Sequence, residues 1–165
     1  MTAGDRVRPL EKQDLPELVR LCREHADFER AAWSEHEREA SLEALLIASD
    51  SAWCWVVEVA GQLAGFASAC LELSTWDARR YLHLDCLYLR ADYRDQGWGR
   101  GLIERVAATA LEQGAVNLQW QTPIWNDGAA RFYDRLGARS AEKLRFTLDR
   151  DACTRLLADD EGGSG

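Results

Sequence analysis

The residues whose types and spacing are suited to chemistry crowd into Asp92–Val106, DYRDQGWGRGLIERV, between an apolar run and a strongly periodic helix. Arg94, Gly97, Gly99 and Gly101 meet at that junction. Glycine lets the backbone turn sharply and approach a ligand closely. The start of the following helix offers unpaired N–H groups and a positive dipole end. Together these cradle an anion, most often a pyrophosphate. The run Gly97-Trp98-Gly99-Arg100-Gly101 is not the GxGxxG of a parallel dinucleotide-binding unit, and the Gly-Lys-Ser/Thr of a P-loop is absent.

Two further side chains stand out. Asp85 sits in the apolar run LDCLYL, where a carboxylate is costly unless it is paired or functional. Its structural alternative is an ion pair with Arg79 or Arg80. Tyr133 lies on the apolar stripe of a later helix. It is either a core residue or a proton donor, since a phenol with a pKa near ~10 is protonated at neutral pH. Cys86, beside Asp85, raises a covalent route, against which a strand cysteine is more often core. The five cysteines show no CxxC spacing, and His25, His36 and His83 have no metal-ligand spacing, so no metal site is expected.

The elements that must position these residues follow from periodicity. Arg6 to Pro9 predicts a short first strand. Asp14 caps a helix with Pro16 in its first turn and an apolar stripe of Leu15, Leu18, Val19 and Cys22. A second helical stretch runs from about Glu35 to Ala48. WCWVVEVA, Trp53 to Ala60, and Leu63 to Leu73 flank Gly61-Gln62 and predict a hairpin. Tyr81 to Leu89 predicts a strand with Leu82, Leu84, Cys86 and Tyr88 on one face. The helix after the glycines ends at Gly114, a strand spans Val116 to Thr122, and Asn126 or Asp127 caps a helix ending at Gly137. Leu144 to Leu148 reads as a last strand and Asp151 to Ala158 as a terminal helix. The expected fold is α/β: a mixed, mostly antiparallel sheet of six to seven strands with helices on both faces. Residues 1–158 form one expected domain, and the acidic, Gly-rich 159–165 a flexible tail.

Composition narrows the function. The chain has 165 residues, with 20 Lys and Arg against 28 Asp and Glu. The resulting net charge of −8 argues against nucleic acid and anionic membranes as partners and favours a cationic one. No apolar run reaches the roughly 18 residues of a membrane span, and MTAGDRVRPLEKQD has no apolar signal region. A cytoplasmic protein is expected.

Arg94-Asp95-Gln96-Gly97-Trp98-Gly99 resembles the Q/R-x-x-G-x-G/A loop of the GNAT superfamily of acyl-CoA-dependent N-acetyltransferases. WNDGAARFYDRLGA, Trp125 to Ala138, resembles its later motif of Asn, Phe-Tyr and Gly-Ala. With the strand order, the likeness spans roughly residues 5 to 150. Within the superfamily the chain looks closest to diamine (spermidine/spermine-type) and thialysine acetyltransferases. LCREHADFER, Leu21 to Arg30, Leu73-Ser74-Thr75 and the position of Asp85 carry that likeness. Those relatives often have two adjacent acids where this chain has Asp85-Cys86.

The resemblance implies acetyl-CoA as co-substrate and a small primary amine (a diamine, polyamine or lysine-like amino acid) as acceptor, joined by direct attack in a ternary complex. A protein or peptide amine and a non-catalytic acyl-CoA-binding module are the alternatives. Tyr133 is the implied general acid. Asp85 attracts the amine and relays its proton, and the backbone N–H of Leu87 is the oxyanion donor. Leu87, Tyr88, Leu89, Arg94, Asp95, Gln96, Gly97, Trp98, Gly99 and Arg100, with Asn126 and Tyr133, are the implied acyl-CoA contacts. Trp98 is expected to turn its side chain away from the phosphates. Phe28, Glu29, Glu72 and Asp77, with Asp85, are expected to line the amine pocket. A homodimer is the implied assembly.

Overall fold

A computed structural model describes residues 7–34 and 36–158. Arg6, Glu35 and the expected tail at 159–165 lie outside the described residues. The chain divides into two compact units that meet in sequence between Pro123 and Ile124.

The first unit is built on a five-stranded sheet in chain order: β1 (Val7–Pro9), β2 (Ala52–Val59), β3 (Gln62–Ser74), β4 (Arg79–Leu89) and β5 (Leu118–Gln119). β1 to β4 are antiparallel, and β5 runs parallel to β4. The β2–β3 hairpin closes through Ala60 and Gly61, both at positive φ (51° and 76°). That pair of left-handed residues makes the tight turn whose twist matches the strands. The first helix, α1 (Leu15–Glu29), covers one face. Leu15, Leu18 and Leu21 pack there with Cys54, Val56, Leu63 and Phe66. A short α2 (Arg38–Leu42), continued as a π-helical turn over Glu43–Ile47, brings Leu42 and Leu46 against the same core. On the other face lies α3 (Trp98–Glu112), with Leu102 and Val106 fully buried. Gly114, at φ 63°, ends it as expected, and Ala115 N–H reaches back to Ala110 C=O.

Asp14 occupies the helix start, but its side chain does not cap α1. Its carboxylate instead accepts from Arg8 Nη1 and Nη2 at 2.6 and 2.9 Å and from Glu11 N–H at 2.8 Å. Burial pushes this carboxyl up, but the guanidinium and the amide outweigh burial and hold it below the usual carboxylate range.

The second unit holds two helices, α4 (Asp127–Arg135) and α5 (Arg150–Ala158). The strand expected at Leu144 to Leu148 does not form, so the described sheet has five strands rather than six or seven. Alternation gives that segment an apolar face, but a strand also needs an edge to pair with, and this unit contains no other strand among the described residues. Leu144, Phe146 and Leu148 are accordingly exposed. The expected strand over Val116 to Thr122 shortens to Leu118–Gln119. Its partner strand changes course two residues beyond the last paired position, His83.

Candidate functional site

The change of course in β4 is a bulge at Asp85. Ala69 pairs with Leu84 and Ser68 with Cys86, so Asp85 is the extra residue. One inserted residue reverses the facing of everything after it. Leu82 and Leu84 are buried with Ala69 on the α3 side, while Cys86 and Tyr88 pack into the α1 core. The four do not share a face as the uninterrupted alternation implied. The carboxylate of Asp85 is exposed and accepts from the buried Ser68 hydroxyl at 3.3 Å. Among the described residues no ion pair joins it to Arg79 or Arg80.

The bulge also sets which backbone groups are open. Arg90 N–H donates to Ala64 C=O at 2.9 Å. Ladder alternation then points the backbone groups of Cys86 and Tyr88 at β3, and those of Leu87 and Leu89 at the opposite edge. On that edge, among the described residues, β5 pairs only with Leu82 and His83. Leu87 N–H therefore lies on an edge that no described strand covers. Gly65, opposite Leu89, is required by close packing, since a Cβ there falls 2.3 Å from Tyr88 C=O.

After Leu89 the chain makes a 3₁₀ turn over Ala91–Tyr93 and enters the glycine loop. Asp95 and Gly97 take positive φ (58° and 86°), and Gly97 is the residue before α3. Gln96 Nε2 donates to Asp92 C=O at 2.8 Å, which folds the loop on itself. Arg94, Asp95, Gln96, Gly97 and Arg100 are exposed, while Trp98 is buried. The indole turns inward while the backbone opens the helix. α3 has 15 residues and no acidic residue in its first turn, so its amides and dipole face outward unopposed. Arg94 Nε donates to Leu89 C=O at 2.9 Å, and its guanidinium lies 5.1 Å from the centre of the Phe28 ring. Arg100 pairs with Glu104 at 2.8 Å, one turn along α3.

The last turn of α1 borders the bulge. His25 stacks on Tyr88 with ring centres 5.3 Å apart and approaches Glu29 at 3.3 Å. Burial pushes the Cys86 thiol up, and the charges of Asp85 and Glu29 raise it further. The Cys70 thiol is raised by burial and by Glu72 and Asp85. Glu29, Glu72 and Asp85 thus bear on the same part of the sheet. Glu72 also accepts from the Tyr81 hydroxyl, which pushes that phenol up to about 12. Asp77 is set apart: it sits in the β3–β4 turn and is held by the Ser74 hydroxyl at 2.6 Å.

In the second unit Asn126 is the N-cap of α4, its side chain accepting from Ala129 N–H at 3.2 Å. Tyr133 is half-buried beside Phe132, ring centres 5.2 Å apart. Gly137, at φ 85°, ends that region of helix, with Ala138 N–H bonded to Tyr133 C=O.

Sequence reasoning missed Ser68, His25 and Arg90. His25 precedes Glu29 by four residues, a helical spacing visible in the sequence. Arg90 binds Glu24 at 2.9 Å, Glu17 at 3.3 Å and Leu63 C=O at 2.8 Å, tying the exit of β4 to α1 and β3. Ser68 gave no signal, because its role depends on strand register. Among the described residues no cluster of His, Cys, Asp or Glu is arranged to hold a metal ion, and no helix is long and apolar enough to cross a membrane.

Residues 18–138 match the acetyltransferase (GNAT) family. The thialysine N-epsilon-acetyltransferase of Mus musculus is 28% identical over 167 residues, 93% of this chain and 98% of that protein. The thialysine N-epsilon-acetyltransferase of Caenorhabditis elegans is 29% identical over 144 residues, 85% of this chain and 89% of that protein. Among solved structures, the aminoglycoside N-acetyltransferase AAC(6')-Iy in complex with CoA superposes with a TM-score of 0.69 at 19% identity, covering 87% of this chain and 98% of that one.

Proposed function

The chain belongs to the GNAT acetyltransferase family and is an N-acetyltransferase, and from that premise we propose that it acetylates the primary amine of a small cationic substrate, with a lysine-like amino acid first and diamines or polyamines next. The observation that carries this reading is the bulge in β4. It leaves Leu87 N–H on an uncovered edge and sets the exposed carboxylate of Asp85 on the strand that leads into the glycine loop. The names of the relatives favour the lysine-like acceptor.

The family uses acetyl-CoA, and the loop fits it on its own geometry. Gly97 is left-handed, the first turn of α3 lacks acidic residues, and the segment is exposed. The amides of Arg94 to Arg100 would hold the pyrophosphate, and Leu87 and Leu89 the pantetheine arm. Acetyl-CoA supplies an activated thioester carbonyl and a thiol that can leave. Leu87 N–H donates to the carbonyl oxygen as charge develops there. An alkyl amine with a pKa near ~10 arrives protonated. Asp85, steadied by Ser68, attracts it and passes its proton to water, with Glu29 and Glu72 adding negative field. As the amine nitrogen bonds to the carbonyl carbon and the C–S bond breaks, Tyr133 donates the proton that the departing sulfur takes up and is reprotonated, through water, by the proton the nitrogen sheds. The half-buried Cys86 thiol, raised by desolvation and by Asp85, favours direct attack over transfer through cysteine. The reading extends to a homodimer, which light scattering on the purified protein checks.

A thiol-release assay with acetyl-CoA tests the proposal against lysine, thialysine, putrescine, spermidine, an aminoglycoside and a Lys-containing peptide. Thiol release dependent on thialysine or lysine is the expected result. Release with the peptide alone would replace the small amine by a protein substrate.

A further inference from the structure

Phe28 falls at the end of α1, beside the acidic residues, where its position in sequence suggests the amine pocket. One of its contacts is with the glycine loop. The Arg94 guanidinium lies 5.1 Å from the centre of its ring. The same Arg94 donates through Nε to Leu89 C=O at 2.9 Å, on the uncovered edge of β4. Among the described residues the Nη groups of Arg94 have no hydrogen-bond partner.

We propose that Phe28 is a positioning residue for acyl-CoA: its ring and the Leu89 carbonyl together hold Arg94 at the mouth of the glycine loop with two nitrogen donors left for the pyrophosphate. The inference rests on reading that loop as the acyl-CoA cradle. An exposed arginine has about 2 kcal/mol of rotamer entropy to lose on binding an anion, and a guanidinium already fixed at one nitrogen and one face loses less. A planar fork fixed in this way suits bidentate recognition of phosphate oxygens. The Arg94 charge also reaches Tyr88, whose phenol is raised by burial and Glu24 and lowered by Arg94. Tyr88 in turn stacks on His25. The last turn of α1 thus touches the cofactor side through Phe28 and the acidic side through Glu29.

The test is calorimetric binding of CoA to the whole protein, paired with amine KM at saturating acetyl-CoA. An exposed cation–π contact corresponds to roughly two- to fivefold in affinity. Phe28→Leu, which keeps the apolar bulk, should weaken CoA by about that factor and leave amine KM within about twofold. Phe28→Tyr, which keeps the ring face, should restore CoA affinity. Adding Phe28→Leu to Arg94→Gln should cost less than it does alone, because the cationic partner is already lost. Unchanged CoA affinity in Phe28→Leu, with amine KM raised, would return Phe28 to the amine pocket and overturn the inference. Full additivity in the cycle would overturn it as well. A wild-type protein that bound no CoA would remove the cradle itself, and this inference with it. A wild type that binds CoA while Phe28→Leu binds equally well would remove only the inference.

Discussion

The glycine loop and the bulge in β4 face the same chemistry but are built differently. The loop is chiefly a backbone device, to which the Arg94 guanidinium is added. Positive φ at Asp95 and Gly97 and the open first turn of α3 do its work, and of its side chains Trp98 is turned inward and Gln96 folds back on Asp92. The bulge is a side-chain device, in which one inserted residue exposes a carboxylate, turns a half-buried thiol into the α1 core beside it and reverses the facing of the strand. A backbone site tolerates changes of side chain and fails when φ is forbidden. A side-chain site fails when one functional group is replaced. The two should therefore separate kinetically, the loop in acetyl-CoA affinity and the bulge in use of the amine.

The largest effect is expected at the proposed general acid. Tyr133→Phe should lower kcat by about 100-fold or more and leave both KM values within a few-fold, as loss of a general acid does. Normal turnover by that variant would remove Tyr133 from the mechanism. Asp85→Asn comes next. It should cut kcat/KM for the amine by about 50-fold, since it removes a charge-assisted contact and a proton relay, and leave CoA affinity within about twofold. A fall in CoA affinity instead would mean that the bulge and the loop are one device.

A change remote from both regions is the control. Asp14 is buried and bound by Arg8 at 2.6 Å. Asp14→Asn should cost about 2 kcal/mol at pH 7, because the guanidinium loses the more buried of its two counter-charges and keeps only Glu58, at 2.8 Å. The folded-state pKa of Asp14 is lowered, so its contribution is complete above the unfolded carboxylate value near ~4 and is lost as pH falls through the lower folded value. The variant should thus start lower and lose less on acidification, as read by urea melts from pH 7 to pH 3. Its kinetic constants should stay near wild type at temperatures where it is folded. Gly97→Val is the corresponding probe of the loop. A β-branched residue at φ 86° is strained, and acetyl-CoA affinity should fall about 10-fold while amine KM changes little.

This division of devices also explains what the sequence revealed. The loop was legible because glycines at fixed spacing before a periodic helix mark backbone conformation directly, and Gly114 and Gly137 marked helix ends for the same reason. The bulge was not, because a register shift is a relation between two strands. Alternation read along β4 alone placed Leu82, Leu84, Cys86 and Tyr88 together, and only pairing with Ser68 and Ala69 separates them. Asp85 stands out in the sequence as a carboxylate in an apolar run, but the cost assumed there does not arise, because the bulge leaves it exposed; its partner Ser68 gives no sequence signal. The apolar alternation of Leu144, Phe146 and Leu148 misled in the opposite direction. It suggests a strand, yet alternation specifies a face and leaves the partner unspecified.

The smallest expected effect tests whether the bulge carries a second nucleophile. Cys86 is adjacent to Asp85, and the sequence leaves a covalent route through its sulfur open. Thioester exchange requires the thiolate. Burial raises the Cys86 thiol, and the neighbouring negative charge of Asp85 raises it again, so both influences oppose the reactive form at neutral pH. A thiol meant as a nucleophile is found beside cations or a helix N-terminus, and this one faces carboxylates instead. Cys86→Ala should keep kcat within about threefold, the loss expected of a small packing defect and no more. Mass spectrometry of the wild type mixed with acetyl-CoA alone should show no acetylated protein. An acetyl group found on Cys86, removed on adding the amine, would mean that the bulge positions a covalent relay, and direct attack would have to be abandoned.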